Sequence, residues 1–463
     1  MQNLYRLKIN QDICAIYAPD TLGLVFCDIN AINSTEDIFR IKSRELQQKV
    51  EKILWRNDSL KPYPTRPVRT LYLCTSYNCN LRCSYCLMQN SIAEDQAKNV
   101  MSYAVADKAV KYFTENSSEH TEREVVFYGG EPALYPDLLY FIYQRINECD
   151  KHSLRELKPC RYIMCTNGML LTDPLIEFIA KAHIYPAVSI DGNKEIHDAH
   201  RIKEDGTGSF DETKKGYQKL INAGISAGIS MTLGSHLSYK LPQLVQSIAQ
   251  EFSPKTLAIN TMMDFQNLHN PFVPGAKELS SILWDAFLVA RQEGVYIVKN
   301  VMDNRIRPFV ERQPRLWGCT GMGGRIGVLP DGKLVPCMAL PNYFKDIDTN
   351  PPFKDLFPER LVAASPIYRS ECAECPARST CGGGCPANSI LKHSESPLDE
   401  PYCIASKLFL DNMIRLLWEL CHQVALENIK LDGVYIPTDE DRLGIYGNIK
   451  VEGKISDYQY TPY

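Results

Sequence analysis

Residues 79–86 read CNLRCSYC, three cysteines at C-x3-C-x2-C spacing with a tyrosine inside the last pair. Three readings are open for such sulfurs: a disulfide staple, a zinc site, or a reactive centre. The chain carries 17 cysteines, an odd number, and in a reducing compartment clustered thiols bind metal more often than they pair. A structural zinc site uses four ligands, so this motif alone is one short. Thiolates also hold iron–sulfur clusters, and a [4Fe–4S] cluster held by only three sulfurs leaves one iron open to a small molecule.

The flanking sequence bears on the choice. Directly before the motif, TLYLC (70–74) reads as a buried strand, and the same pattern recurs at EVVFY (124–128), RYIMC (161–165), YPAVSI (185–190), AGISMTL (227–233) and LAINTMM (257–263), each followed by helical periodicity. Six β/α units predict a parallel sheet, because parallel neighbours need helical crossovers. The chemically distinctive residues come just after the strands: the cysteine loop after the first, GGEP (129–132) after the second, TNG (166–168) after the third and DG (191–192) after the fourth. In parallel α/β barrels that rim builds the active site.

Further out, residues 1–60 hold apolar runs around YRLKI, ICAIYA and LGLVFC and a helical stretch, SRELQQKVEKILW, which predict a small α+β module. RNDSLKPYPTRP disfavours helix and strand and reads as a linker, so the barrel is expected over 68–310. Beyond residue 315 the periodicity lapses into loops dense in Gly, Pro and Cys, a unit (315–427) held by metal more than by apolar core, with helical character returning in ASKLFLDNMIRLLWELCHQVALEN. Residues 428–463 form a polar tail with no readable role.

With 51 Lys and Arg against 55 Asp and Glu and no long basic block, neither nucleic acid nor an anionic membrane is an expected partner. The amino terminus lacks a signal-peptide profile, and Asp411, Arg415 and Glu419 interrupt the most apolar late stretch, which predicts a cytoplasmic protein. Cys14, Cys27, Cys149, Cys160 and Cys421 sit in apolar or helical settings and read as buried small hydrophobes.

The cysteine loop and the segments after it resemble the radical S-adenosylmethionine (radical SAM) enzymes. Cys79, Cys83 and Cys86 match the family motif position for position, Tyr85 matches the aromatic that lies near the adenine, and GGEP reproduces another family segment. The resemblance implies a partial (β/α)6 barrel whose Cys79, Cys83 and Cys86 hold a [4Fe–4S] cluster, with Tyr85, Gly129, Gly130, Glu131, Asn167, Ser189, Asp191 and Arg201 contacting SAM. It implies reductive cleavage of SAM and hydrogen abstraction by a 5′-deoxyadenosyl radical, with ferredoxin or flavodoxin as electron donor. The alternative from the residues alone is zinc with a distant ligand, or unpaired core thiols.

Cys319, Gly332 and Cys337, then C-x2-C-x5-C-x3-C from Cys372 to Cys385 and finally Cys403, resemble the SPASM extension of radical SAM peptide maturases. That resemblance implies two auxiliary [4Fe–4S] clusters, an outer one on Cys372, Cys375, Cys381 and Cys403 and an inner one on Cys319, Cys337 and Cys385, whose fourth ligand is open. Sulfatase maturases follow the second cysteine with an Asp that acts as a base; Met338 stands there and accepts no proton. The expected function is therefore a peptide maturase that installs a thioether or carbon–carbon crosslink in a ribosomally made precursor. Formylglycine formation and epimerisation, with Cys165 as a conceivable hydrogen donor, are the alternatives, and a zinc-containing peptide-binding scaffold is the reading from another class. The amino-terminal module is either a cap or a peptide-recognition element that adds a substrate strand to its sheet.

Overall fold

The computed structural model describes residues 4–31, 43–55, 68–88, 99–119, 121–262, 275–298, 301–340, 342–357, 365–385, 387–388 and 400–450. The expected linker at 56–67 and the last part of the tail lie outside these residues.

Seven parallel strands form the central sheet: β4 (Thr70–Ser76), β5 (Arg123–Gly129), β6 (Cys160–Thr166), β7 (Ile184–Ser189), β8 (Gly228–Leu233), β9 (Thr256–Thr261) and β10 (Tyr296–Val298), each paired with the next. The first six are the strands read from sequence. The seventh is only three residues long, too short for its apolar pattern to stand out. Beyond β4 the sheet continues with β11 (Arg325–Val328), parallel to it, and antiparallel β12 (Lys333–Val335) and β13 (Lys345–Asp346). A hairpin from the cysteine-rich region is thus stitched to the first barrel strand.

Alternation along each strand sorts the side chains. Leu71, Leu73, Val125, Phe127, Tyr162 and Met164 join the main core beneath the crossover helices. Tyr72, Cys74 and Tyr128 point the other way, into a separate apolar cluster with Met88, Leu329, Val335 and Met338. That inner cluster joins the first cysteine loop to the β11–β12 hairpin.

The amino-terminal strands β1 (Tyr5–Lys8), β2 (Ile13–Ala18) and β3 (Gly23–Asp28) form a second, antiparallel sheet. Its fourth strand is β14 (Val434–Tyr435), which pairs Val434 with Cys27. The tail that had no readable role therefore completes the amino-terminal sheet; two residues are too few to show a period. One face packs on helix Arg44–Leu54 through Ile16, Val25, Val50 and Leu54. The other meets helix Glu400–Asp432, where Phe26 and Trp418 rings lie 5.1 Å apart edge to face. Arg442, almost fully buried, donates to Phe309 O at 2.7 Å and Leu22 O at 3.1 Å and so fixes the module to its surroundings. Cys14, Cys27 and Cys421 are buried, whereas Cys149 and Cys160 are only half-buried, packed at the edge of the core. Among the described residues no helix is long and apolar enough to cross a membrane.

Candidate active site

The loop after β4 places Cys79, Cys83 and Cys86 at the rim where the strands end. Two backbone hydrogen bonds clamp it to the loop after β5: Gly130 N to Ser76 O at 2.6 Å and Glu131 N to Asn78 O at 2.9 Å. Only glycine fits here, because a Cβ on Gly130 would meet Asn78 O at 2.1 Å and one on Gly129, at φ +126°, would meet Ser76 O at 2.3 Å. Both glycines, expected to contact SAM, also admit the cysteine loop's own backbone.

Glu131 is buried, and three protein donors occupy its carboxylate: Thr166 Oγ1 at 2.7 Å and Ala133 N at 2.9 Å on Oε1, and Asn167 N at 2.7 Å on Oε2. Burial pushes its carboxyl above the usual range against the pull of those bonds. It locks the β6 loop so that Asn167 Nδ2 reaches Asn80 Oδ1 at 2.7 Å and Cys79 Sγ at 3.9 Å.

On the opposite side, Asp191 binds Arg201 through Nε at 2.8 Å and Nη2 at 3.1 Å, Thr232 N at 2.8 Å and the Tyr85 hydroxyl. Burial favours its neutral form, but Arg201 outweighs that and holds the carboxyl below its usual range. Arg201 lies 5.4 Å over the Tyr85 ring and also reaches the Cys83 sulfur. Glu131 and Asp191, expected to contact SAM, accept bonds from protein donors and so hold Asn167, Arg201 and Tyr85 in place. Ser189 ends β7 at the same rim, half-buried.

The three thiols sense one another: burial, then the charges of Glu131, Cys83 and Cys86, push Cys79 up to about 12, and Cys83 is raised by burial with Cys86 adding to it. Buried thiols of this kind ionise only with a cationic partner. Ligands of one zinc ion, each about 2.3 Å from the metal, must crowd together, whereas those of a cubane sit on different irons. The donor set fits a cluster.

The later cysteines gather around arginines, a feature the spacing did not reveal. Cys372, Cys381 and Cys403 lie within electrostatic reach of Arg369, and Cys372 and Cys375 within reach of Cys381. Arg369 is 6% exposed, yet its Nε and Nη2 are buried with no hydrogen-bond partner among the described residues. Two orphaned cationic donors beside thiols suit an anionic group such as a cluster. Burial raises the Cys319 thiol and the charge of Cys337 adds to it, and Arg325 Nη2 lies 3.9 Å from Cys319 Sγ while its guanidinium sits 4.5 Å over the Tyr72 ring. The loop bearing Cys319 meets the one bearing Cys381 and Cys385 where Gly318 N donates to Gly382 O at 2.5 Å.

Residues 73–246 match the model of the radical SAM superfamily. The chain carries a radical SAM domain. It is an enzyme of that chemistry, homologous to anaerobic sulfatase maturases and to peptide-modifying members. The cysteine-type anaerobic sulfatase-maturating enzyme of Clostridium novyi is 22% identical over 74% of this chain and 94% of the relative. The radical SAM cyclopropyl synthase TigE of Paramaledivibacter caminithermalis is 20% identical over 75% of this chain and 74% of the relative. The solved structure of native anSMEcpe with bound AdoMet and Cp18Cys peptide superposes with a TM-score of 0.62 at 20% identity, covering 77% of this chain and all of that one. That likeness shows the shared fold, a radical SAM partial barrel with its extension.

Proposed function

We propose that the protein modifies a ribosomally made peptide by abstracting a hydrogen from an unactivated carbon and closing a thioether or carbon–carbon crosslink. Cys79, Cys83 and Cys86 would hold the SAM-binding [4Fe–4S] cluster, and the later cysteines the auxiliary clusters. When bound, these groups and SAM supply the hydrogen-abstracting radical and take up the electron that the product releases. The chain's own part is positional. Gly129 and Gly130 hold the cysteine loop against β5, Asn167 donates to it, Ser189 lies at the SAM-facing rim, and Arg201 with Tyr85, fixed by Asp191, walls the other side. Relatives that act on peptides, including the complex with Cp18Cys peptide, support the substrate class.

The observation that carries the crosslink reading is Met338. It is 6% exposed and packs in the inner apolar cluster against Cys74, Met88, Leu329 and Val335, with Tyr72, Tyr77, Cys86 and Tyr128 around it. A thioether takes the place of a proton acceptor between the first cysteine loop and the Cys337 hairpin. A chemistry that needs a base at this position is therefore disfavoured, which supports the crosslink reading over formylglycine formation. In the amino-terminal module, β1 is a sheet edge, but Arg415 already donates to Lys8 O at 3.1 Å and Ile9 O at 3.3 Å. This favours the cap over leader recognition.

The test offers the anaerobically reconstituted, dithionite-reduced enzyme two peptides: the product of a short neighbouring reading frame, and a sulfatase-derived cysteine peptide. Loss of two hydrogens from the first, read by mass spectrometry, is the expected result. Formylglycine on the second overturns the reading.

A further inference from the structure

At the opposite end of the barrel, where strands begin, the structure holds a cavity of about 770 Å³ that the chemistry above does not use. Its rim carries the cations Lys151, Arg161 and Lys255, with His183 beside them. Among the described residues none of these four side chains has a carboxylate within ion-pair distance. The acid that lines the cavity, Asp150, is already committed through both oxygens to the buried Arg123, at 2.9 Å each. Glu124 sits opposite Arg161 in register but does not line the cavity. His183 holds a left-handed backbone at φ +50°, a conformation that costs free energy in a non-glycine residue. The walls between the charges are apolar and aromatic, with Tyr143, Tyr162, Leu157 and Pro159.

This cavity lies at the strand starts, away from the loops that carry the cysteines. Tyr185 Oη and Thr256 Oγ1 are hydrogen-bonded at 2.9 Å across Gly228, where even a Cβ would meet Thr256 Oγ1 at 2.4 Å and Tyr185 Oη at 2.9 Å. β6 has seven residues, so its start lies about 20 Å from the rim that carries the cysteine loop. A substrate segment reaching the cysteines would not pass here.

We propose that the amino-terminal mouth of the barrel is a separate binding site for a nucleoside phosphate, with the polyphosphate on Lys151, Arg161 and Lys255 and the ring against Tyr143 and Tyr162. Three unpaired fixed charges exceed what one carboxylate neutralises, and a guanidinium fork beside ammonium groups is the usual cradle for phosphate. The volume falls among small-molecule sites, and apolar walls with a few convergent charged groups are their usual lining. In parallel barrels this face ordinarily serves stability, so unpaired cations around a cavity there call for a ligand. The proposal stands independently of the peptide-crosslinking reading.

Calorimetric titration of the full-length reconstituted enzyme, kept saturated with SAM to occupy the other adenine site, tests it with ADP, pyrophosphate and adenosine. ADP and pyrophosphate are expected to bind with affinity that falls as salt rises, and adenosine roughly tenfold or more weakly. The variant Lys151→Glu/Lys255→Glu, altered only at exposed positions, should lose ADP affinity by about tenfold or more, with Arg161→Lys in between. SAM cleavage in that variant should match the parent, which reports an intact fold. Absence of ADP binding at millimolar concentration, or ADP affinity unchanged in the double variant, overturns the proposal. Binding of an acidic peptide to this face without ADP binding does so as well.

Discussion

The two cysteine regions of this enzyme are held in opposite ways. The loop at 79–86 is gripped by backbone hydrogen bonds, two glycines and carboxylates bonded to protein donors, and its cations are matched, Arg82 by Glu204 and Arg201 by Asp191. The later cysteines sit among the half-buried Arg315 and the buried Arg325 and Arg369, the last with two nitrogens that have no hydrogen-bond partner among the described residues. Around the first loop the protein fixes geometry and leaves the sulfurs near charge balance; around the later ones it supplies positive charge. A loop that must leave one position open needs a rigid frame, whereas an anionic group among the later cysteines would need compensation in a low-dielectric interior.

The sharpest way to break this comparison is to remove a sulfur. Cys79→Ala, Cys83→Ala or Cys86→Ala should drop 5′-deoxyadenosine formation to the no-enzyme background while iron persists in the later region. Chromatography of anaerobic, dithionite-reduced reactions, with iron and sulfide analysis, reads both outcomes. Gly130→Ala tests the frame: a methyl 2.1 Å from Asn78 O must displace the loop. It should cost about 3 kcal/mol of stability and lower iron content at the first loop, with the later region unaffected.

Next comes acid sensitivity. His197, fully buried against Asp191 N and Ser209, is held down to about 4, first by burial and then by Arg201. Between pH 6.5 and 4 the unfolded chain carries a proton there that the folded one refuses, so stability rises with pH across that window. The loss on acidification is on the order of 3 kcal/mol, and His197→Gln should flatten the slope in denaturant titrations at several pH values. The smallest effect belongs to charge compensation. Arg369→Gln should shift the midpoint of one later cluster to more negative potential, since a lost cation disfavours the reduced form, and leave the first cluster's signal unmoved. Redox titration followed by electron paramagnetic resonance decides this.

Much of this arrangement was legible in the order of residues. Long apolar strands separated by amphipathic helices have strong periods, so β4 to β9 could be read, and the rim followed because the notable residues came right after the strands. The roles of those residues were less legible. That Glu131 and Asp191 bind protein donors, and that Gly130 makes way for Asn78, depends on loops from different strands meeting, which no local pattern encodes. The arginines near the later cysteines are scattered singly through the sequence, and only folding collects them. The two-residue β14 was invisible for a simpler reason: its partner is Cys27, some four hundred positions upstream.

That strand has a consequence for how the polypeptide matures in the cell. The first three strands leave the ribosome early, but their sheet is finished only when Val434 and Tyr435 emerge. At ordinary elongation speeds this is a wait of roughly 20–80 s. During that interval β3 stays an open sheet edge, a template for wrong pairing until β14 covers it.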